Sequence, residues 1–237
     1  MLMTSNSSGL FKDQNRLSFV AMQTKLIGII VVAASVAVVA GQSKLASDIH
    51  PESLSRLPPM QRDSLDAEGK RVWDVLAAGR GMPRTGPAPV SIYSPGAAEP
   101  IQLLNRYLRN TVVGPRYFEL SALIAAREFD QQYEWSGHEP AALRAGVEQS
   151  LIDVIKFNRP IPSGLAEKDA TVVRLGRALL RDHKVSSELW AKTVELFGRQ
   201  GAIEIVATIG DYVMAGLMLT AVDQQLPEDR KPLLPPR

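Results

Sequence analysis

The sequence predicts an all-α domain that follows an N-terminal apolar segment. Between residues 45 and 227, the stretches with regular hydrophobic spacing have the period of a helix. No run of useful length alternates apolar and polar side chains, which argues against strands. The 237 residues include no cysteine, so neither disulfides nor thiolate metal sites can form within this sequence. We therefore expect one helical domain at 45–227.

The N-terminal region has the pattern of an export signal. Residues 1–21 are polar and rich in Ser and Asn, and we expect them to be disordered or to precede the true start. Residues 22–40 place Lys25 before an apolar run that ends in small residues, as in a cleaved signal peptide or an uncleaved membrane anchor. The run is shorter than the roughly 20 residues of a membrane span, which favours cleavage. Both alternatives predict an exported, periplasmic protein, and a cytoplasmic protein with a mis-called start is the third.

Sequence signals divide the domain into helices and loops. Ser64 can cap a first helix at 64–79, because its side chain accepts a hydrogen bond from a free N–H group. The segment 80–97 is dense in Pro and Gly, so we expect a loop there. Further helices are predicted at 98–112, 115–140, 140–146, 148–157, 166–183, from Ser186 to a break between Gly198 and Gly201, and at 202–224.

Two features of the C-terminal third stand out. Asp211 lies in the middle of the apolar helix 202–224, where a buried carboxylate would need a partner, and it either faces solvent or belongs to a site or interface. Residues 228–237 are rich in Pro and charged side chains, so we expect a loose tail.

The stretch 115–140 contains most of the candidate functional residues. Pro115 suits the first position of a helix and Pro140 disfavours its continuation, so the pattern predicts a single long helix. On that helix one stripe is apolar. The opposite stripe is polar and contains Glu119, Arg127, Asp130, Gln131, Glu134 and His138. This stripe is either a solvated face with paired charges or, because two leucines interrupt it, a half-buried site with shifted pKa values.

A family resemblance rests on the spacing of four residues in this stretch. Glu119, Gln131, Glu134 and His138 have the spacing of the motif Glu-x11-Cys-x2-Cys-x3-His. The stretch resembles the core helix of the carboxymuconolactone decarboxylase family, related to the AhpD-type alkylhydroperoxidases, whose peroxidase branch carries that motif. Flanking segments at 65–81, 86–109 and 201–227 extend the resemblance over most of 50–227.

Both cysteine positions of that motif are replaced, so the chain resembles the cysteine-free branch. A thiol peroxidase needs a thiolate nucleophile and a second thiol that resolves it. Since the sequence has neither, it excludes peroxidase activity of that kind. The resemblance implies an AhpD-like helical domain and an enzyme that acts on a small carboxylated or lactone substrate by acid/base chemistry, with decarboxylation of a γ-carboxy lactone as the type reaction.

The resemblance also implies roles for particular side chains. His138 would donate a proton or stabilise a developing enolate, with Glu134 one helical turn earlier to orient it. Arg127 would anchor a carboxylate, and Glu119 would be a second acid/base group or the partner of Arg127. The predicted substrate-binding residues are Gln131, Tyr133, Trp135 and, from the loop expected to border the site, Tyr93.

Partners and cofactors follow from what the sequence contains. The net charge is +2 and no basic cluster is interleaved with aromatic residues, so nucleic acid is not a predicted partner. Glu134 and His138 have the spacing of paired metal ligands but lack a recognisable third, so we predict no metal and no cofactor. The family resemblance implies a small-molecule substrate and a homo-oligomer. The alternative is a non-catalytic, exported binding or assembly protein on the same scaffold.

Overall fold

Eight α-helices make up the computed structural model, which describes residues 45–237. They are α1 Ala67–Ala77, α2 Pro87–Ser91, α3 Pro95–Leu108, α4 Gly114–Glu128, α5 Gln132–Arg144, α6 Gln149–Lys156, α7 Glu167–Arg177 and α8 Ser187–Ala221. No strand occurs within that range, and the all-α prediction is confirmed for it. The predicted segments 1–21 and 22–40 lie outside the described residues.

Helix α4 is the centre of the fold. It packs against α5, α6, α7 and α8, and all of its residues from Phe118 to Arg127 are buried. Alanines at 122, 125 and 126 let neighbouring helices approach its axis closely. Burial of each large apolar side chain around it contributes about 1.5–3 kcal/mol. That core includes Leu120, Leu123, Ile124, Trp135, Leu151, Ile152, Val172, Leu175 and Ile205.

The stretch 115–140 is two helices, so the prediction of one long helix is wrong. The chain leaves α4 at Phe129, and Asp130 takes a left-handed conformation with φ of 49°. The side chain of Gln131 then caps α5 by accepting a hydrogen bond from the Tyr133 N–H at 3.0 Å. The chain reverses because α4 and α5 bury apolar faces against each other, which a single straight helix cannot do.

Several prolines of this domain lie at the start of a helix or inside one, and do not end it. Pro87 and Pro95 occupy first-turn positions of α2 and α3, so the predicted loop 80–97 contains a short helix and the start of another. Pro140 lies inside α5, which continues to Arg144. Buried side chains before and after Pro140, among them Trp135 and Ala142, hold this helix in the core despite the missing N–H.

Caps and breaks shift some boundaries. Asp66, not Ser64, caps α1 by accepting from the Gly69 N–H at 2.7 Å. Ser186 caps α8 as expected, accepting from the Leu189 N–H at 3.2 Å. Helix α8 is broken at Gly198, whose φ of 70° and ψ of 169° are non-helical. By length and hydropathy, α8 is the one helix of the described residues that could cross a membrane, but 56% of its most apolar window is buried inside the domain.

The C-terminal tail packs on the domain, contrary to the expected loose tail at 228–237. The Leu234 side chain is buried, and its N–H donates to the Gln132 side-chain oxygen at 2.8 Å. The Arg127 guanidinium donates to the Pro235 carbonyl at 2.9 Å. Charged residues and prolines dominate the composition of this segment, so its sequence does not reveal the role of Leu234. Burial of the Leu234 side chain holds the tail on the domain.

Candidate active site

A cavity of about 640 Å³ opens between α3, α4, α5, α8, the segment before α2 and the tail. Its volume is within the range of small-molecule sites. Its polar lining residues are Arg80, Thr85, Gln102, Asn105, Arg109, Glu119, Tyr133, Glu134, His138, Asp211, Tyr212 and Arg230. Three predicted catalytic residues, Glu119, Glu134 and His138, therefore meet in one cavity.

His138 lies between the two glutamates. Its Nδ1 is 2.6 Å from a carboxylate oxygen of Glu119 on α4, and its Nε2 is 3.4 Å from one of Glu134, one turn earlier on α5. The reversal at residues 129–131 creates this arrangement, because it brings α5 back alongside α4. The edge-to-face rings of His138 and Tyr212, with centroids 4.6 Å apart, fix the imidazole plane. The imidazole is thus oriented from three sides.

These contacts set the charge of His138. Burial by itself would lower the pKa of the imidazole, but the hydrogen bonds to Glu119 and Glu134 and their negative charges outweigh it and raise the pKa to about 9. At neutral pH the group is therefore an imidazolium, with a proton on each ring nitrogen. It can give up a proton to a group that replaces either glutamate contact.

One oxygen of Glu134 has no hydrogen-bond partner. The residue is buried, and its Oε1 accepts no hydrogen bond within residues 45–237. An unsatisfied buried acceptor costs about 1–3 kcal/mol. Because Glu134 lines the cavity, a hydroxyl or N–H group of a ligand would satisfy this oxygen.

Polar residues of α3 and α8 complete the opposite wall. Asn105 donates to Asp211 at 2.8 Å, and Arg109 donates to the Tyr212 hydroxyl at 2.9 Å. Burial raises the pKa of Asp211, although the hydrogen bond from Asn105 opposes the shift. Burial also raises the pKa of Tyr212. Asp211 thus has the partner that its place in an apolar helix required.

Arg109 is already engaged within this wall. It donates to Asn105 at 2.9 Å, lies over the Phe118 ring at 4.7 Å from the centroid, and is 4.0 Å from Glu119. Sequence analysis did not single out Asn105 or Tyr212. The available signal was the mid-helix Asp211, whose burial implies a donor on a neighbouring helix.

Arg127 does not line this cavity, so its predicted role as carboxylate anchor is not supported. It is 1% exposed, and its guanidinium contacts the carbonyls of Lys156 and Pro235 and the carboxylate of Asp130. Arg127 is two turns beyond Glu119 on α4, roughly 12 Å along the axis. That separation places it at the far end of the helix, where it holds the tail.

Of the four predicted substrate-binding residues, only Tyr133 lines the cavity, and its hydroxyl is 2.8 Å from that of Thr85. Gln131 caps α5 and donates to Thr220 at 2.9 Å. Trp135 is in the core and donates to Glu139. Tyr93 donates to the Pro58 carbonyl and borders a separate cavity of about 300 Å³. The helix reversal explains the positions of Gln131 and Trp135, because residues after Asp130 do not continue the stripe of α4.

A second large cavity has no comparable chemistry. It measures about 660 Å³ and lies between residues 51–61 and the segment around α2. Its arginine, Arg84, donates to the carbonyls of Pro51 and Glu52, so it is occupied by structural bonds. Within residues 45–237 no three potential ligands cluster as they would around a metal ion. We therefore take the cavity around His138 as the candidate site.

No family model and no curated protein matches this sequence. Several solved structures match in fold. The alkylhydroperoxidase AhpD core of an uncharacterised peroxidase-related protein from Ralstonia eutropha JMP134 gives a TM-score of 0.56 at 14% identity, over 76% of this chain and 95% of that one. The debrominase Bmp8 gives 0.55 at 15% identity, over 74% and 92%.

A third solved structure also matches in fold. A protein of unknown function from Agrobacterium tumefaciens, described as a putative antioxidant defence protein AhpD, gives a TM-score of 0.53 at 15% identity, over 61% of this chain and 99% of that one. A variant of Bmp8 was solved in complex with 2,3,4-tribromopyrrole. Because the sequence identities are low, these matches show the fold only. The chain has the AhpD-like helical fold.

Proposed function

We propose that this protein is an enzyme that acts on a small carboxylated or lactone substrate by acid/base chemistry, as a decarboxylase of the carboxymuconolactone type. One observation carries the proposal: the imidazole of His138, whose side chain is 12% exposed, is held between two carboxylates at the wall of a cavity of about 640 Å³. Perturbed ionisable groups that converge in a cavity are typical of catalytic sites. The sequence resemblance suggests the substrate class.

In the proposed reaction His138 is the general acid. The bond between the ring carbon and the departing carboxyl carbon breaks, and its electron pair moves into the unsaturated lactone. A ring proton of His138 is transferred to the carbanion or enolate so formed, and solvent then restores that proton. Glu119 and Glu134 keep the imidazole charged and oriented until the transfer.

The proposal excludes cysteine-dependent peroxidase chemistry. The sequence has glutamine at 131 and glutamate at 134, where the peroxidase motif has its two thiols. In the structure Gln131 is bound to α8, donating to the Gly216 carbonyl at 3.1 Å and to Thr220. An amide in these contacts supplies neither a nucleophile nor a resolving thiol. This supports acid/base chemistry in place of thiol redox chemistry.

A substitution series tests the role of His138. We expect His138→Gln to lower kcat by about 100- to 10,000-fold on the responsive member of a panel of unsaturated lactones and their carboxylates, because the general acid is lost. Glu134→Gln should lower kcat less, since Glu119 still contacts the ring. His183→Gln is the matched control, because His183 is exposed and lies outside the cavity. Turnover by His138→Gln at the wild-type rate would remove His138 from the mechanism.

We further propose that the domain is exported. The support is the pattern at residues 22–40, a basic residue followed by an apolar run. N-terminal sequencing of the native protein separates the alternatives: a chain that begins at Gly41 indicates a cleaved signal. An intact Met1 or Met22 in a soluble cytosolic fraction would contradict export.

A further inference from the structure

We infer that Arg230, delivered by the C-terminal tail, binds a carboxylate of the substrate, and that this carboxylate is retained through the reaction. This inference rests on the proposed function and assigns a residue to its substrate specificity. Arg230 lines the cavity that contains His138.

Three arginines line the cavity, and they differ in their contacts. Arg109 is committed to the hydrogen bonds with Asn105 and Tyr212 described above, and to the ring of Phe118. Arg80 is exposed, at the turn after α1. Arg230 is half-buried, and within residues 45–237 its guanidinium forms neither a hydrogen bond nor an ion pair. It is therefore the anchored cation with free donors.

Arg230 is held in place by a contact that occupies none of its hydrogen-bond donors. Its guanidinium lies over the ring of Tyr133, 4.6 Å from the centroid. Its Nη1 comes close to Gly137, where an added Cβ would be 3.6 Å away, so the missing side chain gives it room beside α5. This contact holds the guanidinium over the ring and leaves its N–H donors free for a carboxylate.

The tail is fixed on both sides of Arg230. Before it, the Gln225 N–H donates to the Leu54 carbonyl at 2.7 Å. After it, Leu234 is buried and donates to Gln132. A donor carried on a segment anchored at both ends loses little freedom when a ligand binds, so its contribution to affinity is large.

Two groups without a hydrogen-bond partner within residues 45–237 indicate the chemistry of the ligand. Arg230 offers donors for an anion, and Glu134 Oε1 offers an acceptor for a hydroxyl or N–H group. A strong ion pair to a departing carboxylate would stabilise the ground state and oppose its loss. The carboxylate bound by Arg230 is therefore one that the substrate keeps, in addition to any group that leaves.

Binding of two stable probes tests this assignment. Furan-2-carboxylate and its neutral isostere furan-2-carboxamide are titrated into the full domain, and affinities are taken from NMR shift changes. We expect wild type to prefer the carboxylate, and Arg230→Gln to weaken carboxylate binding about tenfold while amide binding stays unchanged. Arg230→Lys should retain part of the preference, since it keeps the charge but loses the bidentate geometry.

Lys231→Gln is the matched control, because it removes the same charge one residue later from an exposed side chain outside the cavity. Arg230→Gln with an unchanged carboxylate preference would overturn the inference. Wild type that binds neither probe, or both equally, would also overturn it. Turnover of His138→Gln reports separately on the proposed function, so the two failures are distinguishable.

Discussion

At the scale of single residues, His138 shows how neighbours fix the state of a group. Its pKa is raised to about 9 because the two hydrogen-bonded glutamates favour the charged ring more than burial disfavours it. A histidine in an unfolded chain has a pKa of about 6.5. Folding therefore takes up a proton between these two values, and stability depends on pH across that window.

The sign of this dependence gives a prediction. The contribution of His138 to stability is fully present below about pH 6.5 and is lost as pH rises through about 9, because the folded state binds the extra proton. We expect the unfolding free energy of wild type, measured by urea titration at several pH values, to decline over this range. In His138→Gln that decline should be absent.

His50→Gln is the control for this experiment, since His50 is exposed and lies outside the cavity. A wild-type profile that stays flat between pH 6.5 and 9 would mean that the glutamates do not hold the ring in its charged form.

The sequence predicted part of this cluster and missed the rest for a definable reason. Glu134 and His138 are one turn apart on a single helix, so their contact follows from spacing alone. Glu119 meets His138 only because the chain reverses at Asp130, a left-handed residue that no strong local signal marks. The motif spacing indicated three residues that the structure brings together in one cavity, whereas Arg127, which the helical wheel added, lies outside that cavity.

At the scale of elements, the approach of α4 and α7 depends on one glycine. A Cβ built on Gly176 of α7 would be 2.5 Å from Cγ2 of Ile124 on α4. Branched carbons of a core side chain cannot move away without displacing α4. Because Glu119 is on the same helix, this contact also positions the candidate site.

We therefore expect Gly176→Ala to lower the unfolding free energy by about 1–3 kcal/mol through overpacking. Chemical denaturation measures the change. Gly210→Ala is the matched control: Gly210 lies in the exposed face of α8 with no atom within 4 Å of its added Cβ. Alanine has the higher helix propensity, so this control should be neutral or stabilising by up to about 1 kcal/mol. Equal effects of the two substitutions would argue against close packing at Gly176.

Element boundaries show where local patterns suffice. Helix α6 was predicted to within a residue because Glu148 and Phe157 flank a clear apolar stripe. The segment 80–97 was predicted as a loop because Pro and Gly are counted as breakers. Pro87 and Pro95 instead stand at first-turn positions, where a missing N–H costs nothing.

At the scale of the whole molecule, one surface fits the self-association that we propose from the family resemblance. Large apolar side chains of α3 and α8 are exposed side by side at Leu103, Tyr107 and Ile203. The Tyr107 hydroxyl donates to Glu204 at 2.8 Å, which shows that the two helices are adjacent there. Such exposure on a folded domain is typical of an interface.

We expect the wild-type domain to be a homo-oligomer by light scattering, and Leu103→Glu combined with Ile203→Glu to reduce its mass, because charges would be buried at the contact. Lys168→Glu, an exposed change elsewhere, should leave the mass unchanged. A monomeric wild type would contradict self-association by this surface.

The tail is the whole-molecule feature that the sequence concealed. Its proline and charge content indicated a loose end, yet two distant partners, Gln132 and Arg127, hold Leu234 and Pro235. Contacts between positions about a hundred residues apart leave no periodic pattern, so only the folded chain reveals them.

An affinity tag is most often fused to whichever terminus is convenient. Here Arg237 donates to Asp130 at 3.0 Å, only seven residues after the arginine that we assign to the ligand. A bulky peptide introduced next to Arg237 would compete with this hydrogen bond and disturb recognition without touching the cavity. Assays of this protein are therefore best carried out with any tag placed away from this segment.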